Sequence, residues 1–131
     1  MSQPHPTDYR PDPQVRLSPS EERTFAALSH GVPLVAMVLS AGTLGFVASL
    51  VLYLMYKDRG PFVRQHAANS LNVQLITLVF LIVSLPLMLV LIGFLTYPLA
   101  LVFAFVVHLL GVFKAWGGEW WDPPLTPRWV R

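Results

Sequence analysis

The chain of 131 residues contains no cysteine. That excludes disulfides, thiolate metal sites and thiol catalysis, and it says nothing about compartment. Charge is scarce as well: only 12% of residues are Asp, Glu, Lys or Arg, against roughly 25% in a soluble domain. The scarcity is also patterned. All nine Lys and Arg and all seven Asp and Glu fall within 1–23, 57–64 and 114–131. Across 24–56 and 65–113 histidine is the only readily ionisable side chain. One Lys, Arg or Asp at the centre of a bilayer helix costs about 2.5–3.5 kcal/mol on insertion scales. A chain cleared of charge over two such runs is built for lipid.

What is present agrees. Hydrophobic residues make up 54% of the chain and the net charge is only +2. The basic isoelectric point therefore reflects a few Arg residues and implies no nucleic-acid partner. Residues 1–20 are polar and Pro-rich, unlike a signal peptide, so the first apolar run is expected to serve as its own insertion signal.

Residues 1–17, with Pro4, Pro6, Pro11 and Pro13, can bury little and read as a disordered cytoplasmic tail. Residues 18–118 read as one helical membrane domain, and 119–131 as an interfacial tail rich in Trp and Arg. Ser18-Pro19-Ser20-Glu21 fits a capping box with Pro at the first helical position. A helix is expected from about 19 to 39, kinked at Pro33. The run 24–56 would be roughly 50 Å long as one helix, against a hydrocarbon core of about 30 Å. Its Ser40-Ala41-Gly42-Thr43 segment predicts a tight turn, followed by a short second helix to Tyr56. After a polar loop at 57–60, Pro61 opens a third helix to about Ile92, bending near Pro86. Gly93 to Tyr97 is expected to form the next turn, with a fourth helix from Pro98 to Trp116. The fold class is thus an all-α integral membrane protein of four helices in two hairpins. The first hairpin either crosses fully or re-enters, the latter being tolerated only under protein cover. Two hairpins put every basic residue on one face, and by the positive-inside rule both termini and the 57–64 loop are then cytoplasmic.

The most polar patch opens helix three: Arg64, Gln65, His66, Asn69, Ser70, Asn72 and Gln74. Gln65, Asn69 and Asn72 share one helical face. They are expected to hydrogen-bond helix three to helices one and four, or else to line a groove for a lipid headgroup or peptide. His30, His66 and His108 lie in or at the membrane. Two of them, His30 and His108, could hold a haem or relay protons. No acidic residue within the spans stands ready to orient an imidazole, so hydrogen bonding to a carbonyl or amide is the expectation, with no cofactor and no metal. Ala41, Gly45 and Ser49 form a small-residue ladder on helix two, suited to close internal packing or to a homo-oligomer seam. Arg23, Lys57, Lys114, Trp116, Trp120 and Trp121 are expected to anchor the chain at headgroup level. Asp58 and Glu119 are placed to pair with Arg59, Arg64 or Lys114. Nothing resembles a nucleophile turn, a phosphate loop or a pair of catalytic carboxylates.

Several short motifs recur together: Glu22-Arg23 with Ala27 and His30, Lys57-Asp58 with Pro61-Phe62-Val63, and His66-Ala67. Leu71-Asn72, Gln74, Lys114-Ala115, Gly118-Glu119 and Pro124-Leu125-Thr126 continue the series. In order and spacing they resemble a small bacterial membrane-protein family, domain of unknown function 4870, itself similar to the Tic-twenty subunit of the chloroplast import translocon. The chain departs from that pattern at Asn69, where an acid is usual, and at Val73, where an aromatic is usual. The resemblance implies a bacterial inner-membrane protein without enzymatic activity and a distant link to protein conduction. The leading expectation is an accessory or assembly subunit, in contact with the lipid bilayer and an unidentified membrane protein. A transport or translocation component is the alternative, and a haem-binding redox protein the remote one.

Overall fold

The computed structural model describes residues 16–131. The Pro-rich segment expected to be disordered lies almost wholly outside the described residues. Four helices follow: α1 Pro19–Leu39, α2 Leu44–Tyr56, α3 Pro61–Leu87 and α4 Gly93–Trp116, with a 3-10 turn at Met88–Val90. There is no strand among the described residues.

Helix α1 starts as its sequence dictates. The Ser18 hydroxyl accepts the Glu21 backbone N–H at 3.3 Å, and the Glu21 carboxylate accepts the Ser18 N–H at 2.8 Å. That backbone donor holds the Glu21 carboxyl below the ordinary carboxylate range. At the far end Ser40 Oγ donates to the Ala36 carbonyl and accepts the Leu44 N–H, ending one helix and starting the next. Gly42 turns the chain at φ +103°, and a Cβ there would stand 2.7 Å from Leu81 and 2.8 Å from Leu101. Both its backbone angle and the crowding call for glycine.

Helix α3 is the central element. Pro61 occupies its first position, and the next two backbone N–H groups, of Phe62 and Val63, donate to Glu22 of α1 at 2.9 and 3.0 Å. A carboxylate on one helix thereby caps another, favourably placed at its positive end. From Phe62 to Gln74 nearly every α3 residue except Arg64 and Gln65 is buried.

The second turn differs from the expectation. The α-helix ends at Leu87, one residue past Pro86, and the chain reverses through Leu91 in the left-handed region at φ 68°. Helix α4 begins at Gly93, so Gly93 to Tyr97 is helix and Pro98 lies inside it. The physical reason is packing: a Cβ on Gly93 would collide with the Ser84 carbonyl and with Met88. This glycine permits close approach of α3 and α4, which Ser84 and Thr96 join through their hydroxyls at 2.6 Å.

Helix α3 with its 3-10 extension and helix α4 are each long and apolar enough to cross a membrane, and only 28% of each apolar window is buried inside the protein. Outward-facing Val35, Val38, Leu39, Val47, Leu54, Phe80, Ile82, Val102 and Phe105 complete an apolar exterior. A soluble protein would not expose a continuous apolar surface of this extent. Helix α2, with 13 residues, covers about 20 Å. Even so, the α1–α2 turn reaches nearly as deep as α4, because Tyr97 donates to the Ala41 carbonyl at 2.8 Å. All described charged residues gather at the opposite end. There Leu17 donates to the Arg59 carbonyl, and the Arg23 guanidinium lies over Gly118.

Candidate functional site

Two apolar clusters sit inside the bundle. One, near the charged end, comprises Ala26, Ala27, Phe62, Val63 and Ala115. The other, deeper, comprises Met37, Val73, Ala104 and Val107. Between them lies a polar layer in which His30 of α1, His66 of α3 and His108 of α4 are fully buried.

The three imidazoles form a chain. His66 Nε2 meets the Glu119 backbone carbonyl at 2.9 Å. His66 Nδ1 meets His30 Nε2 at 3.3 Å, and His30 Nδ1 meets His108 Nδ1 at 3.4 Å. His108 Nε2 meets the Gln74 amide nitrogen at 2.7 Å. A carbonyl oxygen can only accept, so His66 must carry its proton on Nε2, which leaves Nδ1 as an acceptor. His30 must then donate from Nε2 and accept at Nδ1. His108 donates from Nδ1 and accepts from Gln74. One proton order satisfies every link with three neutral rings.

Two glycines make the room. A Cβ on Gly111 would stand 2.6 Å from His30 Cγ and Cε1, and one on Gly45 would stand 2.5 Å from Gln74 Oε1. Ring packing adds to the hydrogen bonds: His30 stands edge-on to His66 and His108, and Trp121 closes the layer 6.3 Å from His30 between centroids. Beside the layer the Ser49 and Ser70 hydroxyls meet at 2.9 Å, joining α2 to α3. Below Gln74 the next buried hydroxyl, Thr77 Oγ1, has no hydrogen-bond partner, so the chain of bonds stops there.

Sequence reasoning expected each histidine to bond a carbonyl or amide separately. In the structure they bond one another, with Gln74 and the Glu119 carbonyl at the two ends. A haem between His30 and His108 does not fit this geometry, because their rings are in contact and leave no slot for a porphyrin. The signals for convergence were Gly45 and Gly111, the glycines that let large polar side chains lie flat against α2 and α4.

The polar face of α3 also differs from the expectation. Asn69 donates to the Trp121 carbonyl at 2.6 Å. Asn72 both donates to the Val130 carbonyl and accepts the Val130 N–H, each at 2.8 Å. Arg64 donates to the main-chain oxygen of Arg131 at 3.1 and 3.4 Å. Arg64, Asn69 and Asn72 therefore bind the C-terminal segment 119–131 rather than helices one and four, whereas His66 and Gln74 of the same patch do join α3 to α1 and α4 through His30 and His108. Main-chain acceptors in an irregular tail leave no side-chain signature, which is why the pairing was missed. Gln65 lies on the same stripe, and its Oε1 is buried with no partner.

Of the expected anchors, Trp116 and Trp120 are exposed at the charged end, with Trp120 edge-on to Phe62 at 5.2 Å. Trp121 turns inward and packs on the deeper apolar cluster, since its ring is needed to cover the histidines. Lys57 follows the last turn of α2. Lys114 pairs with Glu119 at 2.7 Å. The small-residue ladder is spent inside the fold: Gly45 on Gln74 and Ser49 on Ser70. Ala41 falls outside α2, in the turn, at φ 52°.

No curated protein and no solved structure matches the chain. A family profile does, over residues 21–130, and it describes magnetosome magnetite crystal formation proteins. This overturns the resemblance to domain of unknown function 4870, and the translocon link falls with it. The motifs behind that resemblance serve the charged end and the histidine layer, and residues doing such general structural work do not single out one family. On a match that covers most of its length, the chain belongs to the MamF/MmsF magnetosome magnetite crystal formation protein family.

Proposed function

We propose that this protein is a non-enzymatic membrane subunit of magnetite crystal formation, a rigid helical platform whose charged end engages another membrane protein. The observation that carries the reading is the closed proton order of the histidine layer. Every ring nitrogen of His30, His66 and His108 is engaged within the protein. The layer joins α1, α3, α4 and the C-terminal segment into one unit and leaves no imidazole free to act on a substrate. Buried polar networks that are fully satisfied rigidify and specify a core. A transport reading has less support, because the hydrogen-bonded chain stops at Gln74, short of the uncharged end. The orientation follows from the charge pattern, with both termini and the 57–64 loop on the cytoplasmic face.

The test is made in magnetite-forming cells. His30→Leu and Glu22→Ala are introduced, and crystal size and shape are measured by electron microscopy alongside co-purification in mild detergent. A platform role expects altered crystals together with loss of the same co-purifying membrane protein. Altered crystals with every interaction retained would refute it.

A further inference from the structure

A second polar site lies at the charged end, between the start of α3 and the C-terminal segment. It is a cavity of about 250 Å³ whose lining includes Arg64, Gln65, Asn69, Asp122, Arg128 and Arg131. Two features define what it would hold. Three guanidinium groups line it with one side-chain carboxylate. Asp122 is already paired with Arg128, and Arg64 is bonded to the main-chain oxygen of Arg131, which leaves the Arg131 guanidinium as the cation to spare for an anion. Gln65 Oε1, in contrast, is a buried acceptor that no group of the protein satisfies. Its stripe mates Asn69 and Asn72 are both bonded to the C-terminal segment. An acceptor buried without a donor is costly, and a ligand donor would remove the cost.

The complement is a small group with an anion at one end and an N–H donor at the other. We propose that this cavity is a binding site for a phospholipid headgroup of the phosphoethanolamine type. The phosphate sits among the Arg64, Arg128 and Arg131 guanidinium groups, whose planar forks suit its oxygens. The half-buried Gln65 side chain turns its enclosed Oε1 toward the cavity to accept from the ammonium, with the Asp122 carboxylate as the second acceptor nearby. Pro61, Ala68 and Val130 supply the apolar part of the lining, where the glycerol end and first methylenes of a lipid would pass. The site is at the end of the molecule that carries all described charges, the level at which headgroups lie. This assignment is independent of the platform role, which rests on the histidine layer.

The test compares phosphatidylethanolamine with phosphatidylcholine of the same acyl chains. Both carry the phosphate, but the trimethylated nitrogen of choline has no N–H to give Gln65. Delipidated full-length protein in detergent is titrated with each lipid, following the unfolding midpoint and the lipid retained in native mass spectrometry. Phosphatidylethanolamine is expected to be retained about tenfold more tightly, the worth of one hydrogen bond to a charged group. Gln65→Leu should erase that preference, Gln65→Glu, which keeps an acceptor oxygen, should preserve it, and Arg128→Gln should weaken both lipids. Equal retention of the two lipids by the unaltered protein would overturn the proposal, as would a preference that survives Gln65→Leu. Saturation by soluble phosphoethanolamine at the same concentration would overturn the assignment to a lipid.

Discussion

The ring of His30 lies flat on Gly111, closely enough that a Cβ on the glycine would stand 2.6 Å from two ring atoms. The glycine is therefore part of the histidine layer although it has no side chain. Gly111→Ala should force His30 off both of its partners at once. Overpacking of this kind costs about 1–3 kcal/mol. Alanine favours the helix intrinsically over glycine by about 1 kcal/mol, so an unchanged or raised unfolding midpoint in detergent would show that His30 adapts and that the layer is loose.

The proton order of the layer can be read directly. Nitrogen-15 chemical shifts of labelled protein should show His66 and His30 protonated on Nε2 and His108 protonated on Nδ1. The prediction follows from one fixed point, the Glu119 carbonyl, which can only accept. An Nδ1–H tautomer at His66 would mean that this bond is not made and that the direction of the whole chain is wrong.

The hairpin topology gives a labelling pattern. Ser20→Cys, Asp58→Cys and Trp129→Cys, made singly in a chain without native thiols, should all react from one side of the membrane. Leu91→Cys, in the uncharged turn, should not react from that side. Labelling of Ser20→Cys and Asp58→Cys from opposite faces would break the first hairpin.

Much of this fold was legible because charge exclusion is a strong constraint in lipid. The capping box at Ser18, the turn at 40–43 and the start of α3 at Pro61 all followed from local chemistry. The start of α4 did not, because Gly93 and Pro98 together look like a turn. Only the neighbouring Ser84 and Met88 reveal that Gly93 serves close packing. That His30 and His108 fall within the two uncharged runs was readable from the sequence, whereas their rotation toward a common axis was not. A helix pattern that is apolar all round gives no preferred inner face, and α4, which carries His108, is close to that limit. The role of Glu22 was likewise hidden, since a carboxylate that caps a different helix leaves no local pattern.

Glu22 supplies a fourth prediction. Its carboxylate accepts two backbone N–H groups at the start of α3, so Glu22→Ala should destabilise the protein by about 1–2 kcal/mol, in the range of a lost helix cap. Glu22→Gln should cost less, because an amide oxygen still accepts. Equal losses in both variants would place the effect in charge rather than capping.

Asn72 and Gln74 stand two residues apart on α3, and the same change to leucine should behave differently at each. Gln74 is buried against His108. In Gln74→Leu, His108 Nε2 cannot reach water, so its desolvation is uncompensated and the loss, about 1–3 kcal/mol, should appear in the global unfolding midpoint. Asn72 makes two hydrogen bonds to Val130 in the C-terminal segment. In Asn72→Leu that segment can lift away and let water take the freed Val130 N–H and carbonyl. The cost should then appear as local opening. Hydrogen exchange at Val130 should accelerate at least tenfold while the amides of α3 and α4 keep their protection, and the midpoint should move less than in Gln74→Leu. If Asn72→Leu lowers the global midpoint as much as Gln74→Leu, the C-terminal segment is an integral part of the core, and its contacts belong with the histidine layer.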